Sequence, residues 1–309
     1  MPTVLITGGT GTIGKALSNA LLKKNYQVII LTRGKGSSAD PLGIQYARWD
    51  PAKGEIDPEV FAKADHIIHL AGAGVADKRW SPSRKKEILE SRVRSGELLQ
   101  KAIATYPNQV KTLVSSSAIG WYGPDPIIPN THPFEETAAH SNDFLGTTCA
   151  AWEDSVKGVR EKCRLVTIRI GIVLSNEGGA LKEFKKPLRF GLAAILGNGK
   201  QVVSWIHVQD LVDLFIYALE NTGMEGVFNG VAPNPVNNKQ LTLSLARARK
   251  GFFVPFHVPA FMLRIIMGEM SVEVLKSATV SAAKTAGKGF KFNFPEIDPA
   301  MKDLAGKDH

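Results

Sequence analysis

The stretch Thr3-Val4-Leu5-Ile6-Thr7-Gly8-Gly9-Thr10-Gly11-Thr12-Ile13-Gly14 constrains this chain more than any other part of it. Thr3 to Thr7 is a β-branched and aliphatic run of the length of a fully buried strand; it breaks into glycines, and a helical pattern follows at once. Gly9, Gly11 and Gly14 fit a G-x-G-x-x-G spacing, and Gly8, Gly11 and Gly14 fit the overlapping T-G-x-x-G-x-x-G. Glycines serve such a turn because it takes backbone angles that a Cβ disfavours, brings the main chain close to an anion and packs a helix against a strand. The N–H groups at the helix start then face that anion. Glycine clusters also make ordinary turns, but a strand before and a helix after point to a dinucleotide. The candidate contacts are Gly8, Thr10, Gly11, Thr12, Ile13 and Gly14.

The pattern downstream extends this unit. Ala16, Leu17, Ala20 and Leu21 share a helical face, and Tyr26 to Thr32 reads as a second buried strand, giving a parallel β-α-β unit. A free ribose 2′-hydroxyl is usually met at the end of that strand by an acid, whereas a 2′-phosphate calls for a guanidinium. Here Thr32 is followed by Arg33, Gly34 and Lys35, with no acid. NADP is therefore expected over NAD, with Arg33 as phosphate partner and Lys35 in support; an Arg in a solvated loop is the alternative. Asp50, ending a segment from Ile44 to Trp49, is a candidate contact to the adenine or a residue of the Asp50-Pro51 turn. His66 to Gly72 reads as a strand whose small end, Leu70-Ala71-Gly72, leaves room for a cofactor lying across the sheet, and His69 reads as a packed histidine.

Residues 83–106 form a long helical pattern from which Ser91 and Arg92 are candidates to point at the cofactor. Val110 to Ser115 is another buried strand, ending in Ser115-Ser116-Ser117, and Leu165 to Leu174 is one more. Alternating strands and helices make the chain α/β, a Rossmann-type doubly wound parallel sheet with a smaller C-terminal substrate domain. The expected division is 1–170, with returning segments near 200–232, for the NADP-binding part, and roughly 175–200 and 233–309 for the substrate-covering part. Within the latter, residues 252–270 suggest a packed apolar helix, with Met267 and Met270 as candidates for a cleft or a homodimer surface, and Gly289 to Pro295 alternates like an edge strand.

Charge and cysteine content narrow the partners. The 38 Lys and Arg against 29 Asp and Glu give +9, but the basic residues are spread along the chain without a nucleic-acid motif. A small anionic ligand is expected, and no nucleic acid. No apolar run approaches the ~18 residues of a membrane span, so no membrane partner is expected. A strand leading directly into the glycine loop leaves no place for a cleavable signal, which implies a cytoplasmic address. Cys149 and Cys163 show no metal spacing and read as reduced thiols; no metal is expected.

Together with the glycine loop and Leu70-Ala71-Gly72, Ser115-Ser116-Ser117 with Tyr122-Gly123, Arg169 and Trp205-Ile206-His207-Val208-Gln209-Asp210 resemble the extended short-chain dehydrogenase/reductase superfamily. Arg79-Trp80, Ser91-Arg92-Val93, Ala150-Ala151-Trp152-Glu153, residues 229–236 and Gly268-Glu269-Met270 are similar to its atypical NAD-dependent-epimerase-like subgroup, whose bacterial members also carry the label cell-division inhibitor. The resemblance implies an NAD(P)-binding domain, a smaller domain over a substrate cleft, and dehydrogenation, reduction or epimerisation at a carbinol carbon of a small, nucleotide-linked substrate. It also implies a Ser, a Tyr and a Lys four residues after that Tyr, the cation lowering the tyrosine pKa. Ser117 holds the serine place. The Tyr and Lys places fall at Leu145 and Cys149, and no Y-x-x-x-K occurs anywhere. Tyr122 is then the candidate replacement acid, with a place in the pocket wall as its alternative. Without the pair, a silent NADP sensor or scaffold is the alternative to an oxidoreductase or epimerase.

Overall fold

The computed structural model describes residues 1–34 and 41–306. Fourteen strands are present among them: β1 (Thr3–Thr7), β2 (Gln27–Thr32), β3 (Gln45–Asp50), β4 (Glu55–Ile56), β5 (His66–His69), β6 (Thr112–Ala118), β7 (Arg164–Ile170), β8 (Ile172–Leu174), β9 (Leu192–Leu196), β10 (Val202–Val203), β11 (Trp205–His207), β12 (Gly226–Gly230), β13 (Val236–Asn237) and β14 (Val254–Val258). The α-helices are α1 (Thr12–Lys23), α2 (Pro58–Phe61), α3 (Pro82–Thr105), α4 (Phe144–Ser155), α5 (Ala180–Leu188), α6 (Val208–Glu220), α7 (Asn238–Ala248), α8 (Ala260–Met267), α9 (Ser271–Leu275), α10 (Ala283–Gly287) and α11 (Ile297–Gly306).

Eight strands form one sheet in the order β12-β7-β6-β5-β1-β2-β3-β4, parallel throughout except for the β3–β4 edge pair. The strand order reverses on either side of β1, which opens a crevice at the carboxyl edge of the sheet. Helices cover both faces, so the strands carry continuous apolar runs rather than an alternating pattern. Val4, Ile6, Ile30, Ile68 and Val114 pack with Leu17 and Leu21 of α1 and with Leu211 and Phe215 of α6. Leu5, Ile29, Ile67 and Leu113 pack on the opposite face with Leu98, Leu99 and Ile103 of α3. A further core, including Leu181, Trp205, Leu241, Leu245, Met301 and Leu304, joins α5, α7 and α11.

Four expectations are revised by the structure. The run from Leu165 to Leu174 is two strands, because Gly171 turns the chain away: β7 stays in the main sheet while β8 pairs with β11. The strand expected over Val110 to Ser115 runs instead from Thr112 to Ala118, so Ser115, Ser116 and Ser117 are all buried inside it. Gly289 to Pro295 forms no strand. Its Asn293 and Phe294 N–H groups donate to the Asp210 carboxylate at 2.8 and 2.9 Å, a side chain doing what a neighbouring strand would have done. Residues 252–270 contain a strand and a helix, and α8 buries only Leu263, leaving Phe261, Ile265 and Ile266 exposed.

Candidate functional site

The loop between β1 and α1 has the form its glycines require. Gly8 takes φ +70°, and a Cβ on it would lie 2.8 Å from the Leu70 carbonyl carbon. A Cβ on Gly14 would lie 2.5 Å from the Gly8 oxygen, so the first turn of α1 packs against the loop through bare backbone. Among the described residues, the one atom within 4 Å of such a Cβ on Gly11 is the Gly8 oxygen at 3.4 Å. Gly11 caps α1 with no side-chain acceptor, and the first turn carries no acid. Its unpaired N–H groups and the positive end of the helix dipole therefore face outward, ready for an anion.

They face a cavity of about 800 Å³ at the carboxyl edge of the sheet. Gly8, Thr10, Gly11, Arg33, Asp50, Leu70, Ala71, Gly72 and Ser91 line it, so the structure brings nine of the sequence candidates together. Thr12 and Ile13 do not line it; Ile13 packs against the core and Thr12 Oγ1 approaches Gly178. Lys35 lies outside the described residues. Asp50 accepts the Ala52 N–H at 3.0 Å, so it both shapes its turn and faces the cavity.

The Leu70–Gly74 segment is held on two sides. Thr7 Oγ1 accepts the Leu70 and Ala71 N–H groups, each at 3.2 Å, and is hydrogen-bonded to His69 Nδ1 at 2.7 Å. From α3, Ser91 Oγ accepts the Ala73 N–H at 2.9 Å, and Arg84 donates to the Gly74 carbonyl and to Glu87 Oε2. The Arg84 hydrogen bond, joined by the fields of Arg84, Lys78 and Arg33, holds the Glu87 carboxyl below its usual range. Arg92 is a correction to the sequence reading. It does not line the cavity: its Nη1 donates to Ala73 O at 3.0 Å and Ile88 O at 2.9 Å, and its guanidinium lies 4.8 Å from the Trp152 ring centroid. It braces the segment from behind.

Sequence reasoning missed Arg84, Glu87, Glu90, Arg94 and Ser95 in the lining. Their spacing along α3 with Ser91 is that of a polar stripe beside the apolar face, a readable signal.

His69 is fully buried among Thr7, Ser95 and Trp152, and burial, then Arg92, pushes its pKa down to about 3. The unfolded chain takes up a proton near pH 6.5 that the native state refuses, so stability falls as pH drops from about 6.5 towards 3, by up to about 1.4 kcal/mol per pH unit. A His69→Gln variant should therefore lose less Tm than the wild type between pH 7 and 4.5. Parallel losses in thermal melts would refute this origin.

The place of the expected proton relay is apolar. Ser117 is 2% exposed, outside the cavity lining, and its Oγ has the Cys149 thiol beside it with no oxygen or nitrogen partner. A Cβ on Gly120 would lie 3.1 Å from Leu145 Cβ and 3.7 Å from Cys149 Sγ, so both residues stand over the end of β6. Burial, then Glu153, pushes the Cys149 thiol up to about 11. It stays protonated near neutral pH, and Leu145 has no proton to give.

Tyr122, the candidate replacement acid, is sealed in the core and does not line the cavity. It is 0% exposed; its hydroxyl donates to Asn229 Oδ1 at 2.8 Å and accepts from Arg169 Nη1 at 3.1 Å, and its ring stacks on Phe134. Burial, outweighing Arg169, raises its pKa above the usual phenol value. Arg169 ties this region together with a bidentate pair to Glu153 at 2.8 and 3.0 Å, a bond to Glu136 O, and its guanidinium 3.6 Å from the Trp121 centroid.

Known proteins show the same architecture. The sequence profile of the NAD dependent epimerase/dehydratase family matches residues 4–229, and that of a domain of unknown function (DUF1731) matches residues 258–304. The epimerase family protein SAB0724c of Staphylococcus aureus is 34% identical over 308 residues, covering 99% of this chain and 100% of that protein. The crystal structure of human epimerase family protein SDR39U1 (isoform 2) with NADPH is 30% identical, with a TM-score of 0.87 over 99% of each chain. The nucleoside-diphosphate sugar epimerase from Corynebacterium glutamicum is 29% identical, with a TM-score of 0.77, over 99% of this chain and 59% of that one.

Proposed function

This chain belongs to the NAD dependent epimerase/dehydratase family, and from that premise we propose that it binds NADP(H) and acts as an oxidoreductase or epimerase on a small, nucleotide-linked molecule. The observation that carries the reading is the uncapped start of α1 opening, through Gly8 and Gly11, onto a cavity that has Arg33 in its wall. In this reading Gly8, Thr10, Gly11 and the first turn of α1 hold the pyrophosphate, and Arg33 holds the 2′-phosphate. Leu70, Ala71 and Gly72 leave room along the sheet edge, with Arg84, Ser91 and Arg92 keeping that edge in place. The bound cofactor would supply or accept a hydride. The human relative crystallised with NADPH supports the cofactor, and the relative named a nucleoside-diphosphate sugar epimerase supports the substrate class.

Leu145, Cys149 and the occluded Ser117 favour a second reading, an NADP(H)-responsive regulatory protein without turnover. Calorimetric titration should give tighter binding of NADPH than of NADH. Absence of binding to either would overturn both readings. Hydride transfer to nucleotide-linked sugars that disappears in Ser117→Ala would exclude the regulatory one.

A further inference from the structure

We propose that one end of the β9–β14 pair docks on an anionic lipid bilayer. Two loop tips meet there. Phe190 lies just before β9 and Phe252 just before β14, and the Val254 N–H donates to Gly191 O at 2.8 Å, tying the loops together. Phe190 and Phe252 are 82% and 87% exposed, and Val254, two residues after Phe252, is 46% exposed. Soluble surfaces tolerate single apolar residues, but two exposed phenylalanines on loop tips tied to each other call for a partner.

The rim of these tips identifies that partner. Arg189 directly precedes Phe190, and Arg249 and Lys250 directly precede the Gly251-Phe252 tip; all three are exposed. Lys182 and Lys186 on α5 and Arg247 at the end of α7 are exposed too, and of these Lys186 is paired with Glu183 at 2.7 Å. From residue 226 to 268 the chain holds Lys239, Arg247, Arg249, Lys250 and Arg264 and no Asp or Glu. Aromatic tips inside a basic rim fit a surface that is apolar below and negatively charged at its face: the rings enter the headgroup boundary while the cations meet lipid phosphates. A second copy of the chain is the poorer occupant. A twofold contact would set the patch against itself and bring Arg189, Arg249 and Lys250 up to their own counterparts.

This is adsorption and needs no spanning segment; no described helix is long and apolar enough to cross a membrane. It departs from the expectation of no membrane partner, which rested on spanning segments alone.

The test uses the full chain in co-sedimentation with vesicles of phosphatidylcholine, with and without phosphatidylserine, at physiological salt. The wild type should sediment with the phosphatidylserine vesicles and stay in solution with phosphatidylcholine alone. Phe190→Ser with Phe252→Ser should weaken binding on the order of tenfold or more. Charge reversal by Arg249→Glu with Lys250→Glu should remove the preference for phosphatidylserine. Since all four side chains are exposed, both variants should keep the wild-type Tm and NADPH affinity. Wild type that ignores anionic vesicles, or binding unchanged in either variant, would overturn the proposal. A wild-type dimer that becomes monomeric in the serine variant would overturn it too, by assigning the patch to a second copy.

Discussion

Replacing Arg169 with leucine is expected to lower the free energy of unfolding by about 3–5 kcal/mol, the cost of leaving the partner of a buried ion pair alone. Arg169 is 2% exposed and occupies every face of its guanidinium: the Glu153 carboxylate on one edge, the Tyr122 hydroxyl and Glu136 carbonyl on another, the Trp121 ring on its plane. Leucine fills part of the volume but leaves the Glu153 carboxylate, of which only 13% of the side chain is exposed, without its counterion. Arg169→Lys should recover only part of the loss, because an ammonium cannot make the bidentate bond and stack at once. Denaturant titration of the three proteins reads this directly; a loss below about 1 kcal/mol for leucine would show the pair behaving as a surface bridge. The consequence for the site is local. Arg169 pairs in register with Ser117 across β6 and β7, so loosening it shifts the ground on which Leu145 and Cys149 stand.

Arg33→Ala should weaken NADPH binding by about 1.5–3 kcal/mol, roughly tenfold to a hundredfold, through loss of a charge-assisted contact. NADH affinity should change little, since its ribose carries a hydroxyl where NADPH carries the phosphate. The geometry behind the prediction is Arg33, exposed at the end of β2, standing in the wall of the same cavity onto which α1 opens. Parallel titrations with both cofactors measure the difference, and equal losses would remove Arg33 from the 2′-phosphate site.

The parts of this site legible in the sequence share one property: their signals are local. Gly8 and Gly14 imply a turn with no room for Cβ, and the structure has Gly8 at φ +70° and Gly14 against the Gly8 oxygen. The absence of tyrosine and lysine at Leu145 and Cys149 was likewise readable by counting along one helix. The misreadings share the opposite property. Arg92 was a candidate to point at the cofactor from its helix, yet its guanidinium turns to the Ala73 carbonyl and Trp152. Gly289 to Pro295 alternates like a strand, yet Asp210, some 80 residues earlier, takes the N–H groups of Asn293 and Phe294.

The sequence by itself therefore determined the parallel β-α-β unit and the anion-ready start of α1. Each of these is decided by residues within a few positions of one another, through backbone sterics and side-chain period. Only the tertiary structure decided that Tyr122 is sealed against Asn229, 107 residues away, and that Ser117 is shut inside its strand. It alone brought Phe190 and Phe252 to one exposed tip. Burial and exposure are set by which distant segments meet, and no local pattern carries that information.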